Sequence, residues 1–548
     1  MNKSEDDVGN AILSVMPLAG EVVLKNRKQI DISTSKQQVA IIAGKIANEV
    51  KNKHTMFYRP DIGAAVELVT VQKRLRGTCQ RETSDELQVV AATRFVTYID
   101  TYVKTGVFVK SEDGKTLEFV EKSISPALAK QILDSAAFTN SLFIIDNIIT
   151  APLPVLHDGK IMFPERGYDK RFETWLSRDA PIIDKEINLN EAKVFLTDVY
   201  KECCFSAEQD YVNALSGLLT PFCRGIYSEK NTLTPAIYYR GNQPNIGKDT
   251  CAVVTGITIE NTEAQDKPIE DGPELAKKVT AAFVSKRKRM HFANCKGKIQ
   301  NKDFENLLTN PVWLDRVLGS TNDSGFDNDL DISLSANGST YSKDLGTRFV
   351  YVNLLYKPTD KPRKYTRTDF PGFIRKNRAK ILSCLFALVK NWQDNGAIRS
   401  EHVNRFAEWS EICGGILEAA GYNSPCNNSA DYSTIDATDE DVSSRNFFIK
   451  MYEKCPEQEL SIADIKEIIK ADDEMPFHED NLLQKSGQMN LVQSLKTFEN
   501  MSVAGINFVI VGKDKQSKDR RYKLTKHGDS DKHFDMLAFA EHDEKDGS

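Results

Sequence analysis

The residues best placed to do chemistry lie in the middle of the chain. A short apolar run, Ala236-Ile237-Tyr238-Tyr239, ends in Arg240-Gly241-Asn242-Gln243-Pro244-Asn245-Ile246-Gly247-Lys248-Asp249-Thr250, and an amphipathic stretch, Thr250–Ile257, follows. Strand, glycine-bearing loop, Gly-Lys and helix form the context of a phosphate-binding loop. Backbone N–H groups of such a loop wrap the phosphates, and the helix N-terminus turns its partial positive charge toward them. Gly247 permits close approach of the backbone, and Lys248 would reach the β and γ phosphates. This assigns Asn242, Pro244, Asn245, Ile246, Gly247, Lys248, Asp249 and Thr250 to nucleotide binding, with ATP and Mg²⁺ as the expected cofactors. The pattern departs from the usual one at two places. Asn242 stands where a glycine is common, with Gly241 one residue earlier; Asp249 stands where a Ser or Thr commonly binds Mg²⁺, with Thr250 one later. A carboxylate can hold Mg²⁺ directly or through water, so Asp249 is the candidate metal ligand. Taken bare, the stretch would also suit a Gly/Asn-rich surface turn.

Further stretches follow in an order that suits the same chemistry. In Arg289-Met290-His291-Phe292-Ala293-Asn294-Cys295-Lys296-Gly297 an apolar strand ends where a hydrolytic nucleotide site places an acidic pair. One member of such a pair holds Mg²⁺ and its neighbour orients the attacking water. Ala293 and Asn294 occupy those positions. Leu330–Ala336 is a second strand with Asn337-Gly338 at its tip, from which a polar side chain can reach the γ-phosphate. Asp344-Leu345-Gly346-Thr347-Arg348 then precedes the strand Phe349–Leu354. An arginine so placed can stabilise phosphoryl charge across a subunit interface, worth roughly 10³–10⁵ in rate. Taken alone, Arg348 would more often be a surface salt bridge.

The run from 292 to 420 resembles the helicase half of phage and mobile-element primase–helicase proteins of the superfamily-3-like AAA+ group. Phe292-Ala293-Asn294-Cys295-Lys296-Gly297 is similar to that family's Phe-Asp-Asn-x-x-Gly Walker B segment. Leu308-Thr309 and Arg316-Val317-Leu318-Gly319-Ser320 match its next two segments, Ser335-Ala336-Asn337-Gly338 its sensor, and Asp344-Leu345-Gly346-Thr347-Arg348 its Asp-Leu-x-x-Arg. Trp409, Gly414-Gly415-Ile416-Leu417-Glu418 and Gly421 match the closing helix. Upstream, Ala151-Pro152, Asp158-Gly159 and Gly167-Tyr168-Asp169 resemble the segment before the motor, so the likeness spans about residues 140–425. The resemblance implies an AAA+ P-loop ATPase core and an ATP-dependent DNA helicase and replication initiator of a virus or mobile element. It implies a homo-hexamer that translocates on DNA with replication proteins as partners, and Ala293, Asn294, Asn337, Arg348 and Arg316 as its catalytic positions. The family's Walker B aspartate is Ala293 here, which predicts weakened Mg²⁺ placement and a site that holds ATP better than it hydrolyses it. Such a change marks either an altered, ATP-trapping form of an active motor or a natively disabled one; survival of the other motifs favours the first.

The elements that must position these residues belong to a long, mixed chain. Its 548 residues, 40% hydrophobic and 27% charged, carry the apolar material for roughly three or four domains. A net charge of −6 excludes a polycation, so DNA contact needs local basic patches. Ten scattered cysteines without a C-x-x-C pair argue against a zinc ribbon and suit buried thiols in a reducing cytosol. No signal-peptide h-region or membrane-length apolar run is present, so a cytoplasmic protein without membrane association is expected. Alternation of strand, loop and helix predicts a multidomain α/β fold. Its expected parts are an N-terminal α+β accessory or collar domain (1–135), a turn-rich pre-motor segment (136–210), the ATPase core (211–400), closing helices (401–430), a C-terminal winged helix (442–526) and an acidic tail (527–548). Apolar spacing predicts helices over Ser35–Asn52, Asn190–Cys204, Glu208–Leu219, Ile374–Trp392 and Arg405–Ala420, and Asp158-Gly159 predicts a hairpin.

Four basic regions are candidates for DNA contact: Lys73, Arg74 and Arg76; Lys286–Arg289; Lys361–Arg367, continuing through Arg375, Lys376, Arg378 and Lys380; and the C-terminal β-ribbon. The ribbon, Asn507–Val511 with Arg520–Leu524, follows two predicted helices, Ser461–Ala471 and Met489–Asn500. Lys513, Lys515, Lys518, Arg520, Arg521 and Lys523 crowd it, and basic side chains there suit phosphate contact without base reading. The interleaved Asp514 and Asp519 equally suit a solvated hairpin. By analogy the segment Ser320–Asp331 is a pore hairpin, yet it carries four aspartates and no basic residue. The N-terminal region shows no Asp-x-Asp pair on a strand, so no primase is expected. Two other classes stay open: an ATP-binding, hydrolysis-deficient DNA-binding initiator or regulator, and a small P-loop kinase. ATP turnover separates the first from a motor; Asn337, Arg348 and the winged helix argue against the second.

Overall fold

The computed structural model describes residues 27–35, 37–74, 81–112, 114–241, 246–269, 273–299, 301–317, 323–336, 339–341, 343–355, 366–425, 442–471, 502–503, 506–513 and 520–526. They form a mixed α/β architecture with several separate sheets. The chain divides into two units, Met1–Ile149 with Pro164–Asp179, and Thr150–Phe163 with Ala180–Ser548. The boundary expected near residue 135 falls inside the first of them.

In the first unit the helix Val39–Lys51 forms where apolar residues recur at helical spacing, and it buries Ile42, Ala43, Ile46, Ala47 and Val50. Phe95, Ile99, Val103, Ile132 and Phe138 share that core. Met56–Arg59, Ala64–Arg74 and Arg81–Val89 pair antiparallel, and Phe143–Ile144 joins Met56–Arg59 in parallel. Lys73 and Arg74 end the longest of these strands; Arg76 lies outside the described residues.

The second unit opens on the expected hairpin. Val155–His157 pairs with Lys160–Met162, and Asp158 and Gly159 have φ of 50° and 73°, the two positive values a type I′ turn requires. Its centre is a four-stranded, wholly parallel sheet of β1 (Ala236–Gly241), β2 (Arg289–Cys295), β3 (Asp331–Ala336) and β4 (Phe349–Leu354), ordered β2-β3-β1-β4. Near-continuous apolar runs such as Ala236–Tyr239 and Phe349–Val352 suit strands covered on both faces. Helix α1 (Glu208–Phe222) is buried along most of its length, and its polar residues serve the edge strand β4. Asn213 Nδ2 donates to the Tyr351 carbonyl at 2.7 Å, and Asp210 Oδ1 accepts from the Asn353 backbone and side-chain amides at 2.8 Å each. Backbone groups that an edge would leave open are thereby satisfied. After the loop, α2 (Lys248–Glu260) packs on β1 and its neighbours.

Ile374–Trp392, expected as one helix, is interrupted. Phe370–Lys376 stops at Asn377, and α3 (Arg378–Asp394) begins after it. At the break Arg378 turns inward and donates to the carbonyls of Thr258 at 2.9 Å and Ile259 at 3.1 Å. A guanidinium there satisfies carbonyls that the end of α2 leaves without helical partners, and it meets the negative end of that helix dipole. The closing helix α4 (Ala407–Ala419) anchors through Trp409, whose indole donates to Thr220 Oγ1 of α1 at 2.9 Å.

At the N-terminal ends of the strands Arg224 and Asp331 form a buried ion pair at 2.6 Å, and the Thr234 hydroxyl donates to the same carboxylate oxygen at 3.1 Å. Removing one partner leaves an uncompensated buried charge. Arg224→Ala should therefore cost about 3–5 kcal/mol of stability, read as a lower urea midpoint at unchanged slope. A loss under about 1 kcal/mol, the value of an exposed pair, would show that Asp331 is readily resolvated.

The C-terminal segment has its own core. Phe447, Phe448 and Met451 of the helix Val442–Lys454, Ile465 and Ile469 of the helix Ile462–Lys470, and Phe508, Tyr522 and Leu524 of the ribbon pack together. The ribbon pairs Ile506–Lys513 with Arg520–Lys526, flanked by Glu459–Leu460 and Ser502–Val503. The helix expected at Met489–Asn500 and the acidic tail lie outside the described residues. Among the described residues no helix is long and apolar enough to cross a membrane. None of the eight described cysteines is in a disulfide, and six of them are buried.

Candidate nucleotide site

β1 delivers the chain to the loop and α2 takes it away. Asn242, Pro244 and Asn245 lie outside the described residues, and the site is defined from Ile246 onward. Ile246 is buried, and Gly247 holds φ at 97°, a conformation strained for any residue with a Cβ. Gly247 is also the N-cap of α2, so the helix dipole starts at the loop. Lys248 follows, only 6% exposed. Burial pushes its pKa down to about 8, against the attraction of Asp249. A phosphate beside it would raise that pKa and hold the ammonium. Thr250 sits half-buried in the first turn.

Asp249 turns toward the sheet. The Ser335 hydroxyl of β3 donates to its Oδ1 at 2.6 Å, and the Asn294 N–H of β2 donates in turn to Ser335 Oγ at 3.1 Å. His291 of β2 is wholly buried, with Nδ1 2.9 Å from Ser333 Oγ and Nε2 3.5 Å from Asp249 Oδ1. Burial holds the imidazole below its ordinary pKa despite the pull of Asp249, so it is neutral at pH 7. Burial also opposes ionisation of Asp249. The Ser335 hydroxyl and Lys248 act against it, and the carboxyl lies below its usual range.

Ala293 is buried, whereas Asn294 is exposed with φ of 55°, a left-handed conformation that asparagine tolerates. Pairing of β2 with β3 slips between Phe292 and Cys295. Such a bulge re-aims side chains, and here it brings the Asn294 N–H to Ser335. Asp249, next to Lys248 in the chain, and the Asn294 tip of β2 are thus linked through Ser335. His291, Ser333 and Ser335 were not singled out from the sequence. The available signal was polarity inside otherwise apolar strands. Asn337, one residue past β3, lies outside the described residues.

Arg348 and Arg316 lie elsewhere. Arg348 is buried and its Nη1 donates to the Glu305 carbonyl at 3.2 Å, so it is not a surface salt bridge. Its carbonyl accepts from the Ala236 N–H at the start of β1. The loop leaves the far end of that strand, and the length of β1, about 3.3 Å per residue, separates Arg348 from this chain's own Lys248. Arg316 ends Val312–Arg316, which pairs with Asp323–Asp327 as an antiparallel hairpin. This hairpin begins earlier than the Ser320–Asp331 segment expected for it. The reason is aromatic: Trp313 and Phe326 pair across it and stack on Phe283.

Several members of two basic regions expected to meet DNA make contacts within the fold. Arg287 pairs with Asp266 at 2.8 Å, Lys288 with Asp329 at 2.8 Å, and Arg289 is buried against the Ala252 carbonyl. Arg367 pairs with Asp198 at 2.6 Å, Arg375 with Glu263 at 2.5 Å, Lys380 with Glu191 at 3.3 Å, and Arg378 caps α2. Lys361, Arg363 and Lys364 lie outside the described residues, as do Lys515 and Lys518. On the ribbon, Lys513 is in backbone register with Arg520, Arg521 is 3.6 Å from Asp464, and Lys523 is 3.2 Å from Glu457.

A Mg²⁺ ion beside a nucleotide takes one or two carboxylates and completes its shell with phosphate and water. Asp249 fits that demand, being a carboxylate held in place next to Lys248. Among the described residues no three His, Cys, Asp or Glu side chains converge as a metal cage.

No family model matches this chain, and no curated protein matches it. Among solved structures it is similar to the C-terminal region of NrS-1. An apo structure of that region aligns at a TM-score of 0.35 and 10% identity, over 84% of this chain and 87% of that one. An A-form apo structure aligns at a TM-score of 0.33 and 8% identity, over 83% and 85%. At these values the likeness is a loose one.

Proposed function

We propose that this protein is an ATP-dependent DNA motor of replication, a P-loop ATPase of AAA+ type that unwinds DNA as a homo-hexamer alongside other replication proteins. The observation that carries this is Lys248, buried at the N-terminus of α2 beside Asp249 and next to the tip of β2. The loop springs from the C-terminal end of an inner parallel strand, which is where open α/β sheets hold ligands. ATP with Mg²⁺ supplies the phosphoryl group and the charge that binds it. Lys248 and the N-terminus of α2 would neutralise the phosphates, Asp249 would face the cation, and Asn294 and Asn337 at the neighbouring strand ends would orient water. Arg348, at the opposite end of the sheet from its own chain's Lys248, would reach a neighbouring subunit's nucleotide only by leaving its buried bond to the Glu305 carbonyl.

The C-terminal helices and ribbon, taken as a winged helix, would set Lys513, Lys515, Lys518, Arg520, Arg521 and Lys523 on DNA phosphates. Arg521 and Lys523 already face acidic groups of their own chain, so their share is smaller. Lys513→Ala with Arg520→Ala should flatten the log K against log salt slope by about two units, one per lost phosphate contact. Fluorescence anisotropy on duplex DNA measures it, and an unchanged slope would remove the ribbon from the interface.

A second reading, an ATP-binding regulator that does not turn ATP over, rests on Ala293 in the Walker B aspartate position. Unwinding of forked DNA by this chain and by Ala293→Asp separates the two. A motor unwinds, and the variant raises DNA-stimulated hydrolysis tenfold or more, by roughly 1.4 kcal/mol off the barrier. Tight ATP binding with no turnover in either form favours the regulator. No change on Ala293→Asp in a turning motor would mean that this position is not the cation's strand ligand.

A further inference from the structure

We propose that His291 Nε2 and Asp249 Oδ1 together ligate a divalent transition-metal ion, making this a mixed nitrogen–oxygen site and not an all-oxygen Mg²⁺ site. The proposal deepens the nucleotide reading and rests on it only for the remaining ligands, phosphate and water.

Three observations converge. His291 is wholly buried, and its Nε2 has no hydrogen-bond partner. Buried polar atoms are nearly always satisfied, and an exception asks for an ion or a water. Second, Nε2 points at Asp249 Oδ1 across 3.5 Å. That gap is longer than a formed N–H···O bond, about 2.7–3.2 Å. It suits two donors of one metal, since ligands each about 2.0–2.2 Å from an ion lie roughly 3.0–3.5 Å apart. Third, both donors are held from behind. Ser333 Oγ lies 2.9 Å from Nδ1 and fixes the ring, while the Ser335 hydroxyl, itself bonded by the Asn294 N–H, fixes the carboxylate. Metal-binding histidines are oriented by such a bond to the other ring nitrogen. With Nδ1–H donating to Ser333, the Nε2 lone pair faces a carboxylate lone pair, and a cation between them turns repulsion into ligation.

The chemistry follows from the donors. Mg²⁺ takes oxygen, whereas an imidazole donor shifts the preference to first-row transition ions such as Zn²⁺ and Co²⁺; Mn²⁺, which binds such a set more weakly but also accepts carboxylate, phosphate and water, serves as the spectroscopic probe. The strand carboxylate absent at Ala293 is thus matched by an imidazole two residues earlier in β2 and a carboxylate on α2.

Pulsed EPR of the full chain with Mn²⁺ alone, and then with ATP added, tests this. We expect imidazole nitrogen coupling to bound Mn²⁺, lost in His291→Gln, and Mn²⁺ affinity at least about tenfold weaker in His291→Gln and in Asp249→Asn. The wild-type spectrum decides by itself if His291→Gln misfolds. Bound Mn²⁺ without nitrogen coupling, or no bound Mn²⁺ with or without ATP, overturns the proposal. Phosphorus coupling on ATP addition places the nucleotide on the same ion. Nitrogen without phosphorus coupling upholds the metal site and sinks the nucleotide reading; phosphorus without nitrogen does the reverse.

Discussion

Lys248→Ala should lower DNA-stimulated ATP turnover by about 10²–10³-fold, the usual cost of removing one preorganised charge-stabilising donor. The fold should not suffer. A lysine whose pKa is depressed to about 8 carries an unfavourable desolvated charge at neutral pH, so its removal relieves strain as well as deleting contacts. Equal or higher thermal stability combined with lost turnover is the expected signature. The same shift sets a pH dependence. Phosphate favours the ammonium, so the bound pKa rises above the free one, and binding needs the protonated form. Affinity for ATP should stay level up to about pH 8 and then fall about tenfold per pH unit, with one proton taken up on binding. Isothermal titration in buffers of different ionisation enthalpy reads both quantities. A level affinity through pH 9.5 would show that Lys248 does not meet the phosphates.

Asp249→Asn should cost about 10–100-fold in metal-dependent turnover while leaving ATP binding by Lys248 largely intact. Asparagine keeps the shape and can still accept from Ser335, so the lost property is the charge. The carboxylate is held in place by the Ser335 hydroxyl and the Asn294 N–H behind it. Adding Ala293→Asp to Asp249→Asn should recover part of the loss, because either position can present one carboxylate to the same cation. Residues in one network are not additive, and the double variant should exceed the product of the single effects. Wild-type turnover in Asp249→Asn would remove this residue from the chemistry and leave it a purely structural link between α2 and β3.

Much of the local architecture was legible in the chain. Apolar spacing located Val39–Lys51, Glu208–Phe222 and the strands around the loop, because burial on one face or two imposes its own period. Asp158-Gly159 announced a type I′ turn, since few residues accept two positive φ values in succession. Ile374–Trp392 misled because its period runs through the break; nothing local says that Arg378 will turn to the end of α2. The partners of charged residues were not legible for a related reason. Arg287, Lys288 and Arg375 look like a surface for DNA until Asp266, Asp329 and Glu263 arrive from other elements.

What the sequence by itself determined was the Gly-Lys turn at the head of α2: Gly247 supplies the backbone freedom, Lys248 the charge, and α2 the dipole, all within a few residues of one another. What only the tertiary structure decided was the company Asp249 keeps. Ser335 lies 86 residues away along the chain and His291 more than forty, and both reach it because the strands assemble in the order β2-β3-β1-β4. Neighbours across a parallel sheet are set by crossover connections and not by chain position, so no spacing in the sequence could reveal that this carboxylate faces an imidazole.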